Sequence, residues 1–390
     1  MQTMMESLTA FGPCHRAEAQ PAIIPAIDEH GRIKLPGFPS GLSVESYLPL
    51  VHLYANVVEA SRILDRYRPQ LRQLELPGMA FSDDVEPMFN AAQSPLTALT
   101  PSRLQPHLLY KREDQTVTRA YKVRGAVVGM AKAMESRNVK NFLSVSTGNH
   151  ALGVLKAAEL LCPESVRVVV PHNTAPGKLE KLNGVLDLLN QKNIRADLLK
   201  VGSTFDEARL WAMAQESEQE AYLDPYGDPW VVAGQGTLGL ELAQQIRALL
   251  QRPNRYKEVV VIAPVGGGGL LTGTSVALKM ASAWEATFRN VDVRFLGLRL
   301  EDPDALLGDA IRVAELADFN QQALESLRVP LLPMSDNHMA EGVAFVKKDI
   351  GRTVEGASGG AVYPTLYHTA YQPSETRLVV SILSGANTMK

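Results

Sequence analysis

The sequence repeatedly alternates a short run of Val, Ile and Leu with a longer segment of helical periodicity. "EVVVIAPVGGGG" precedes "LLTGTSVALKMASAW", "FLSVS" leads through "TGNH" to "ALGVLKAAELL", and "VRVVVP" precedes "KLEKLNGVLDLL". Apolar runs without polar alternation are typical of strands buried on both faces, and strand-helix alternation is typical of parallel sheets covered by helices. The pattern predicts an α/β fold whose ligands bind at the carboxyl ends of strands.

The same reasoning predicts further strands in "LLYKRED", "WVVAGQG", "VRFLGL" and "RLVVSIL", with "WVVAGQG" leading into a helix. Apolar residues at helical spacing predict a helix over 44–67. Residues 68–100 are irregular, and residues 1–43 are weakly patterned and are interpreted as an N-terminal extension.

Composition excludes several classes of protein. The 390 residues contain 45% hydrophobic and 21% charged residues, which suits a large folded α/β chain rather than a disordered one. The formal net charge of -3 argues against a nucleic-acid partner. Two cysteines without metal-ligand spacing argue against structural zinc and a disulfide framework. Without an apolar run of about 20 residues or a signal-peptide pattern, we expect a cytoplasmic protein that does not enter a membrane.

Four consecutive glycines, Gly266, Gly267, Gly268 and Gly269, follow a predicted strand and open an apolar helix. Backbone N–H groups at such a helix start can bind an anion such as a phosphate. The run is not the GxxxxGK[ST] loop of nucleotide-binding proteins, and no clean GxGxxG accompanies it. A flexible turn is the alternative interpretation.

Two other predicted strand ends carry polar side chains. Ser146, Thr147, Asn149 and His150 offer hydroxyl, amide and backbone donors that suit a carboxylate, although ordinary helix capping by Ser146 or Thr147 explains the pattern equally well. Ser384 ends the strand predicted near the carboxyl terminus, where Ser-Gly is also common turn chemistry.

Lys122 lies at a further strand-helix junction, in "AYKVRGA". A lysine whose pKa is lowered by its surroundings can form a covalent bond with a carbonyl compound. Most lysines are solvated surface residues, so this alternative has the greater weight while the motif is considered alone.

Taken in order, the motifs "YKRED", "AYKVRGA", "STGNHALGV", "VAGQGTLGLEL", "PVGGGGLLTG" and "LSGAN" resemble one family. The sequence is similar to the fold-type II pyridoxal-phosphate enzymes, which have the fold of the tryptophan synthase β subunit, and within them to the threonine/serine dehydratase group. The resemblance covers about residues 94–387. It implies two α/β lobes with parallel-rich sheets: a large cofactor domain formed by 44–143 and 222–390, and a small domain formed by 144–221.

The resemblance also implies a role for each motif residue. Lys122 would carry pyridoxal phosphate covalently and act as the catalytic base. The remaining positions would bind the cofactor (Tyr121, Asn149, Gly266, Gly267, Gly268, Gly269 and Ser384) or the carboxylate of the substrate (Ser146, Thr147 and His150). No metal residue is assigned.

The implied reaction converts a β-hydroxy amino acid, threonine or serine, to a 2-oxo acid and ammonia. A neutral serine hydroxyl at the pyridine nitrogen fits elimination better than transamination, which usually employs a carboxylate there. A racemase, a β-replacement enzyme and a non-catalytic relative that binds the cofactor remain alternatives. The family also implies a homodimer.

The match departs from the family pattern at three places. Ala120 stands where a serine is usual, and Thr147 replaces a smaller residue. "EGVAF" and "EGASGGAVY" with Glu355 join two segments that are normally well separated, which predicts a missing or replaced strand-helix section. We hypothesise that the N-terminal extension fills that gap. Because the sequence stops three residues after Asn387, a regulatory domain and feedback by isoleucine are not expected.

Overall fold

The structure is a computed structural model that describes residues 26–27, 32–35, 37–73, 96–250 and 255–387. The helices are α1 (Val44–Gln73), α2 (Lys122–Arg137), α3 (Asn149–Leu161), α4 (Pro176–Gln191), α5 (Phe205–Met213), α6 (Pro229–Leu250), α7 (Gly269–Trp284), α8 (Asp318–Ser326), α9 (Asp336–Ile350), α10 (Gly356–Gly360) and α11 (Tyr363–Tyr367). The strands are β1 (Ala26–Ile27), β2 (Arg32–Lys34), β3 (Leu42–Ser43), β4 (Leu99–Pro101), β5 (Leu108–Lys111), β6 (Asn141–Val145), β7 (Ser165–Val170), β8 (Arg195–Lys200), β9 (Glu220–Tyr222), β10 (Glu258–Pro264), β11 (Asp292–Leu300), β12 (Leu331–Met334) and β13 (Arg377–Ile382).

A six-stranded sheet has the order β12-β11-β10-β13-β5-β4. Every pair in it is parallel except the edge pair β4-β5. Central strand β10 is almost entirely buried, and Val261 pairs with Val380 of β13 and Phe295 of β11. Its continuous apolar run is required because helices cover both faces of a central parallel strand.

A four-stranded sheet, all parallel, has the order β8-β7-β6-β9. Its strands come from residues 141–222. The division into a domain of 144–221 and a domain of 44–143 plus 222–390 stays a prediction. Helices α2, α3 and α4 contribute to one large apolar core together with strands of this sheet and with α1.

The described part of the N-terminal extension forms a small antiparallel sheet, β1-β2-β3. The loop between β2 and β3 is held by Lys279, which donates to the Gly37 carbonyl, and by Arg328, which donates to the Ser40 carbonyl at 3.0 Å. This segment therefore packs beside α7 and α8, whereas Glu355 bonds with Asn149 and Asn387. The hypothesis that the extension fills a gap near Glu355 does not hold for these residues, and residues 1–25 lie outside the described ranges.

Most of the predicted strands are confirmed, namely those in "LLYKRED", "FLSVS", "VRVVVP", "EVVVIAP", "VRFLGL" and "RLVVSIL". The strand predicted in "WVVAGQG" is wrong, because these residues lie inside helix α6. A short apolar run fits a buried helix as well as a buried strand, and here its glycines pack against neighbouring helices. The predicted helix over 44–67 is found and extends to Gln73.

The region before Glu355 contains regular elements. After β11 the chain passes through α8, β12 and α9, and β12 pairs parallel with β11. "EGVAF" lies within α9, with Gly342 in contact with the backbone of Gly359 in α10. The segment is therefore the interior of a helix that leads directly to Glu355. Within the described residues, no helix is long and apolar enough to cross a membrane.

Candidate active site

Lys122 is the first residue of α2, and its side chain is buried rather than solvated. Its Nζ donates a hydrogen bond to the Pro225 carbonyl at 2.8 Å and lies 5.3 Å from the ring centroids of both Tyr121 and Tyr226. Burial lowers the pKa of the Lys122 amine to about 8, although the carboxylate of Asp224 opposes this shift. The amine is thus available in its neutral, nucleophilic form near neutral pH.

Backbone contacts join the lysine motif to the chain segment that follows β13. The Tyr121 N–H donates to the Ser384 carbonyl at 3.1 Å, and Ala120 forms an isolated β-bridge with Gly385. The Ala386 N–H donates to the carbonyl of Arg119, a non-glycine residue with a φ of 54°. These contacts bring "AYK" and "LSGAN" together, so the residue that replaces the usual serine, Ala120, acts here through its backbone.

A buried network of charges lies behind Lys122. Arg124 donates to Glu113 and Glu241, and Lys111 donates to Glu241 at 2.6 Å. Arg124, Glu113 and Lys111 have almost no exposed surface. The two carboxylates raise the pKa of Arg124, while the cations lower the pKa of Glu241. A buried charge is tolerated when it is paired and hydrogen-bonded, so the charged residues of "YKRED", "KVRGA" and "GLEL" fix the start of α2.

Glycines let neighbouring helices approach α2 closely. A Cβ added to Gly234 of α6 would lie 2.6 Å from the Arg124 carbonyl oxygen, and one added to Gly125 would lie 2.6 Å from the Val231 oxygen. On the other side, a Cβ on Gly153 of α3 would lie 3.1 Å from the backbone of Lys122. The glycines of "VRGA", "AGQG" and "ALGV" therefore set the position of the lysine through helix packing.

The four glycines lie between the end of β10 and the start of α7. Gly268 has a φ of 92°, a conformation that favours glycine, and a Cβ on Gly267 would lie 2.4 Å from the ring of Tyr226. A Cβ on Gly269 would lie 2.7 Å from Oε1 of Gln235. Gln235 is buried, and neither its amide nitrogen nor its amide oxygen has a hydrogen-bond partner within the described residues.

Asn149 begins α3 and contacts three other polar residues. Its Nδ2 donates to both carboxylate oxygens of Glu355 at 3.0 Å, and its Oδ1 accepts from Nδ2 of Asn387 at 2.8 Å. Lys181 of α4 donates to Oδ1 of Asn387 at 2.9 Å. Burial raises the pKa of Glu355, and hydrogen bonds from Asn149 and Asn387 oppose that shift.

Ser384 lies directly after β13 and is buried. Its hydroxyl is 3.1 Å from the hydroxyl of Ser358 in α10. The Ser358 hydroxyl donates to the Gly385 carbonyl and accepts from the Gly385 N–H, both at 2.9 Å. Ser358 thereby fixes the turn on which Ser384 is placed.

The loop between β6 and α3 holds the three predicted carboxylate residues. Ser146 and Thr147 are partly buried, and the Ser146 hydroxyl accepts from the Gly148 N–H at 3.1 Å. His150 is oriented differently, because its Nε2 bonds the Leu223 carbonyl at 3.1 Å while its Nδ1 is buried without a partner in the described structure. Burial, assisted by the nearby Lys122, lowers the pKa of His150 to about 3, so the imidazole is neutral.

Comparison with known proteins places this arrangement in a family. The sequence matches the family described as "Pyridoxal-phosphate dependent enzyme" over residues 89–385, and the chain therefore belongs to it. Pyridoxal phosphate is the cofactor of this family, and the predicted cofactor and fold class are confirmed.

Several relatives resemble the chain over much of its length. The L-threonine ammonia-lyase of Thermotoga maritima is 27% identical over 289 residues, which are 70% of this chain and 65% of the relative. Solved threonine deaminases include one from the source abbreviated T.th., with 29% identity, a TM-score of 0.60 and coverage of 75% of this chain and 93% of that one.

The processed threonine deaminase isoform 2 of Solanum lycopersicum has 20% identity and a TM-score of 0.64, with coverage of 95% and 96%, and shows the shared fold. The chain spans between 35% and 65% of the lengths of the first curated relatives it matches.

The residues present fit pyridoxal phosphate. The buried amine of Lys122 matches an aldehyde, and the glycine loop at the start of α7 offers backbone donors to a phosphate. The buried amide of Gln235, without a protein partner in the described structure, faces this loop. Its unpaired groups are costly in a protein interior unless a ligand satisfies them.

Several residues of the site were not singled out in the sequence. Gln235 and Asn387 belong to quoted motifs, "AGQG" and "SGAN", so their position in these motifs was an available signal. Tyr226, Ser358 and Lys181 lie in segments without such a signal. They reach the site because the fold brings the ends of β9, β13 and the start of α4 together.

Proposed function

We propose that this protein is a pyridoxal-phosphate dependent lyase that converts threonine or serine to a 2-oxo acid and ammonia. The main supporting observation is the buried Lys122 amine with its pKa of about 8, in contact with the segments that bear Ser384 and the glycine loop. The names of the related threonine ammonia-lyases and deaminases favour the same reaction.

The proposed cofactor contacts follow the geometry of the site. Lys122 carries the cofactor, and Tyr121 lies beside it. Backbone N–H groups of Gly266, Gly267, Gly268 and Gly269 hold its phosphate at the start of α7. Asn149 donates to the 3-oxygen of the ring, and Ser384 contacts the ring nitrogen.

The identity of Ser384 supports elimination as the reaction type. A hydroxyl is neutral, so it does not hold a proton on a ring nitrogen by charge as a carboxylate would. When bound, the cofactor withdraws electrons from the α-carbon of the amino acid attached to it, and a neutral partner makes that withdrawal weaker. Elimination of a β-hydroxyl requires less of this withdrawal than transamination does.

Lys122 moves the proton in the proposed reaction. Once the amino group of the substrate has replaced it, the Lys122 amine is free to accept the proton from the α-carbon. Burial keeps a substantial neutral fraction of this amine near pH 8, so it can act as a base. The rings of Tyr121 and Tyr226 surround it and exclude water.

The carboxylate of the substrate is proposed to bind at the start of α3. Ser146 and Thr147 provide hydroxyls there, and the first N–H groups of the helix provide further donors. His150 uses Nε2 on the Leu223 carbonyl, so we propose that it braces this loop and contributes to carboxylate binding through its backbone N–H.

A spectroscopic and product assay tests the proposal. The purified protein should show the visible absorbance band of a covalently attached cofactor and should release ammonia and a 2-oxo acid from threonine or serine. Lys122→Ala should lose the band and at least about 10³-fold in turnover, because both the covalent bond and the base are removed. Full turnover by Lys122→Ala would exclude this mechanism.

The same assay separates the alternatives. Chiral analysis of unreacted serine detects a racemase, and addition of a thiol detects a β-replacement enzyme. Cofactor attachment without any product from a panel of amino acids identifies a non-catalytic relative.

We further propose a cytoplasmic homodimer, on the basis of the family resemblance. Light scattering should then give a mass of twice 42.5 kDa. A mass of one chain would contradict the dimer.

A further inference from the structure

Asn149 belongs to a chain of hydrogen bonds whose directions are fixed by its ends. Lys181 donates to Oδ1 of Asn387, and Nδ2 of Asn387 donates to Oδ1 of Asn149 at 2.8 Å and to the Thr118 carbonyl at 2.7 Å. An ammonium group only donates and a backbone carbonyl only accepts. Asn387 therefore has to present its oxygen to Lys181 and its nitrogen to Asn149 and Thr118.

The same logic fixes Asn149. Its oxygen faces the donor of Asn387, so its nitrogen points the other way and donates to Glu355. Both Glu355 oxygens are 3.0 Å from this nitrogen and lie close together, so one N–H reaches them. The second N–H diverges from the first and is available to a ligand.

These contacts connect the two sheets. Lys181 lies on α4 and Asn149 on α3, both of which pack with the four-stranded sheet, while Asn387 follows the last strand of the six-stranded sheet. Thr118 lies in the loop that precedes Lys122. The orientation of the Asn149 amide thus depends on a lysine on another helix.

We propose that Lys181 is a positioning residue that acts through Asn387 to hold the free N–H of Asn149 toward the 3-oxygen of the bound cofactor. The inference rests on the proposed function of Asn149. Without the Lys181 donor, the Asn387 amide can rotate, and the acceptor that orients Asn149 is then no longer specified. A hydrogen bond donated to an ionised oxygen favours the ionised form, so its loss raises the pKa of the bound cofactor.

Charge around the relay is balanced. Lys181 faces Arg119 and Glu355, and Glu355 also experiences Asp309. Removal of the Lys181 charge could affect the cofactor through space as well as through the amides, so the experiment has to separate these two routes.

The test uses full-length protein, freed of cofactor and titrated with pyridoxal phosphate by fluorescence. Lys181→Met is expected to weaken binding by roughly threefold to tenfold, because the lost charge-assisted hydrogen bond acts through two amides. It should also raise the pH midpoint of the absorbance of the bound cofactor by roughly half a unit to one unit.

A double-mutant cycle distinguishes the relay from a through-space charge. Asn387→Ala should reproduce both effects, and Lys181→Met added to Asn387→Ala should change binding by less than about twofold. Effects that multiply in the double variant would overturn the relay, as would an unchanged affinity and midpoint in Lys181→Met. If far-UV circular dichroism shows that Asn387→Ala is unfolded, Asn387→Ser replaces it, since its shorter side chain does not span from Lys181 to Asn149.

Lys192→Met is the matched control. Lys192 ends the same helix and donates to Glu159 at 2.6 Å, roughly 16 Å along the helix from Lys181. It should leave both readouts unchanged, and an equal effect there would contradict the proposal. If wild-type protein binds the cofactor and releases ammonia while Lys181→Met behaves like wild type, the relay fails and the proposed function stands.

Discussion

At Lys122, burial rather than a neighbouring charge determines the chemistry of the amine. Removal from water favours the neutral form and lowers the pKa to about 8, and Asp224 recovers only part of the shift. At pH 7 about one amine in ten is then neutral, compared with far fewer for a solvated lysine. A single residue at a helix start thereby gains reactivity from the packing around it.

This leads to a pH prediction for cofactor attachment. An amine attacks an aldehyde only in its neutral form, so the attachment rate of cofactor-free protein should rise about tenfold per pH unit below 8 and level off above it. The visible absorbance after mixing measures this rate between about pH 6 and pH 9. A midpoint near the ordinary lysine value of 10.5 would contradict the buried amine.

Asp224→Asn provides an independent check of the sign. The carboxylate of Asp224 favours the charged amine, so its neutralisation should move the midpoint below that of the wild type. A midpoint shifted upward would show that Asp224 acts in another way.

At the scale of elements, the position of Lys122 depends on helices that touch through glycine. Helix α6 lies against α2 at Gly234 and Gly125, and against α7 at Gly236 and Gly273. These positions lie in a stretch whose apolar run and glycines resembled a strand and a ligand loop. Sequence periodicity does not distinguish the two structures, because the contacts that require glycine come from other parts of the chain.

Gly234→Ala should therefore destabilise the protein. Its Cβ would lie 2.6 Å from the Arg124 carbonyl oxygen, so α6 has to move away from α2, at a cost of about 1–3 kcal/mol in the free energy of unfolding. Denaturant unfolding monitored by circular dichroism measures the change.

Gly184→Ala is the matched control on α4. It is exposed, and a Cβ there would have no neighbour within 4 Å. Alanine loses less backbone entropy in a helix, so this variant should be more stable by about 0.5–1 kcal/mol. Equal destabilisation by both substitutions would show that close helix packing is not the cause.

At the scale of the whole molecule, the site exists only where the two sheets meet. Asn149 follows β6 of the four-stranded sheet, while Lys122, the glycine loop and Ser384 follow β5, β10 and β13 of the six-stranded sheet. The carboxyl ends of parallel strands lie on one edge of their sheet, so each sheet contributes loops from that edge. Lys178 of α4, in an ion pair with Asp309 at 2.7 Å, adds a further bridge between the two parts.

Cofactor binding should consequently protect both sheets. Hydrogen exchange followed by mass spectrometry should slow around residues 144–152 and around 265–270 and 382–386 when the cofactor is added, because a ligand stabilises the segments that it joins. The edge strand β8 should exchange at an unchanged rate. Protection confined to one sheet would show that the cofactor does not link them.

Much of the fold and of the site was predictable from sequence. Buried parallel strands need uninterrupted apolar runs, and a loop that meets an anion at a helix start needs glycine, so β10 and Gly266–Gly269 are recognisable locally. β8 was not identified because it is an edge strand with charged residues at alternate exposed positions. Gln235 was passed over because its environment comes from another helix.

The sequence by itself determined the class of fold, the reactive lysine and the order of the loops around it, because these depend on local patterns of burial and on the chemistry of single residue types. Only the tertiary structure decided that "WVVAGQG" is a helix, that Arg124 and Glu241 are paired, and that Lys181 reaches Asn387. Such contacts join residues far apart in the chain. Their energies depend on distance and on exclusion of water, and neither quantity can be read from the order of the residues.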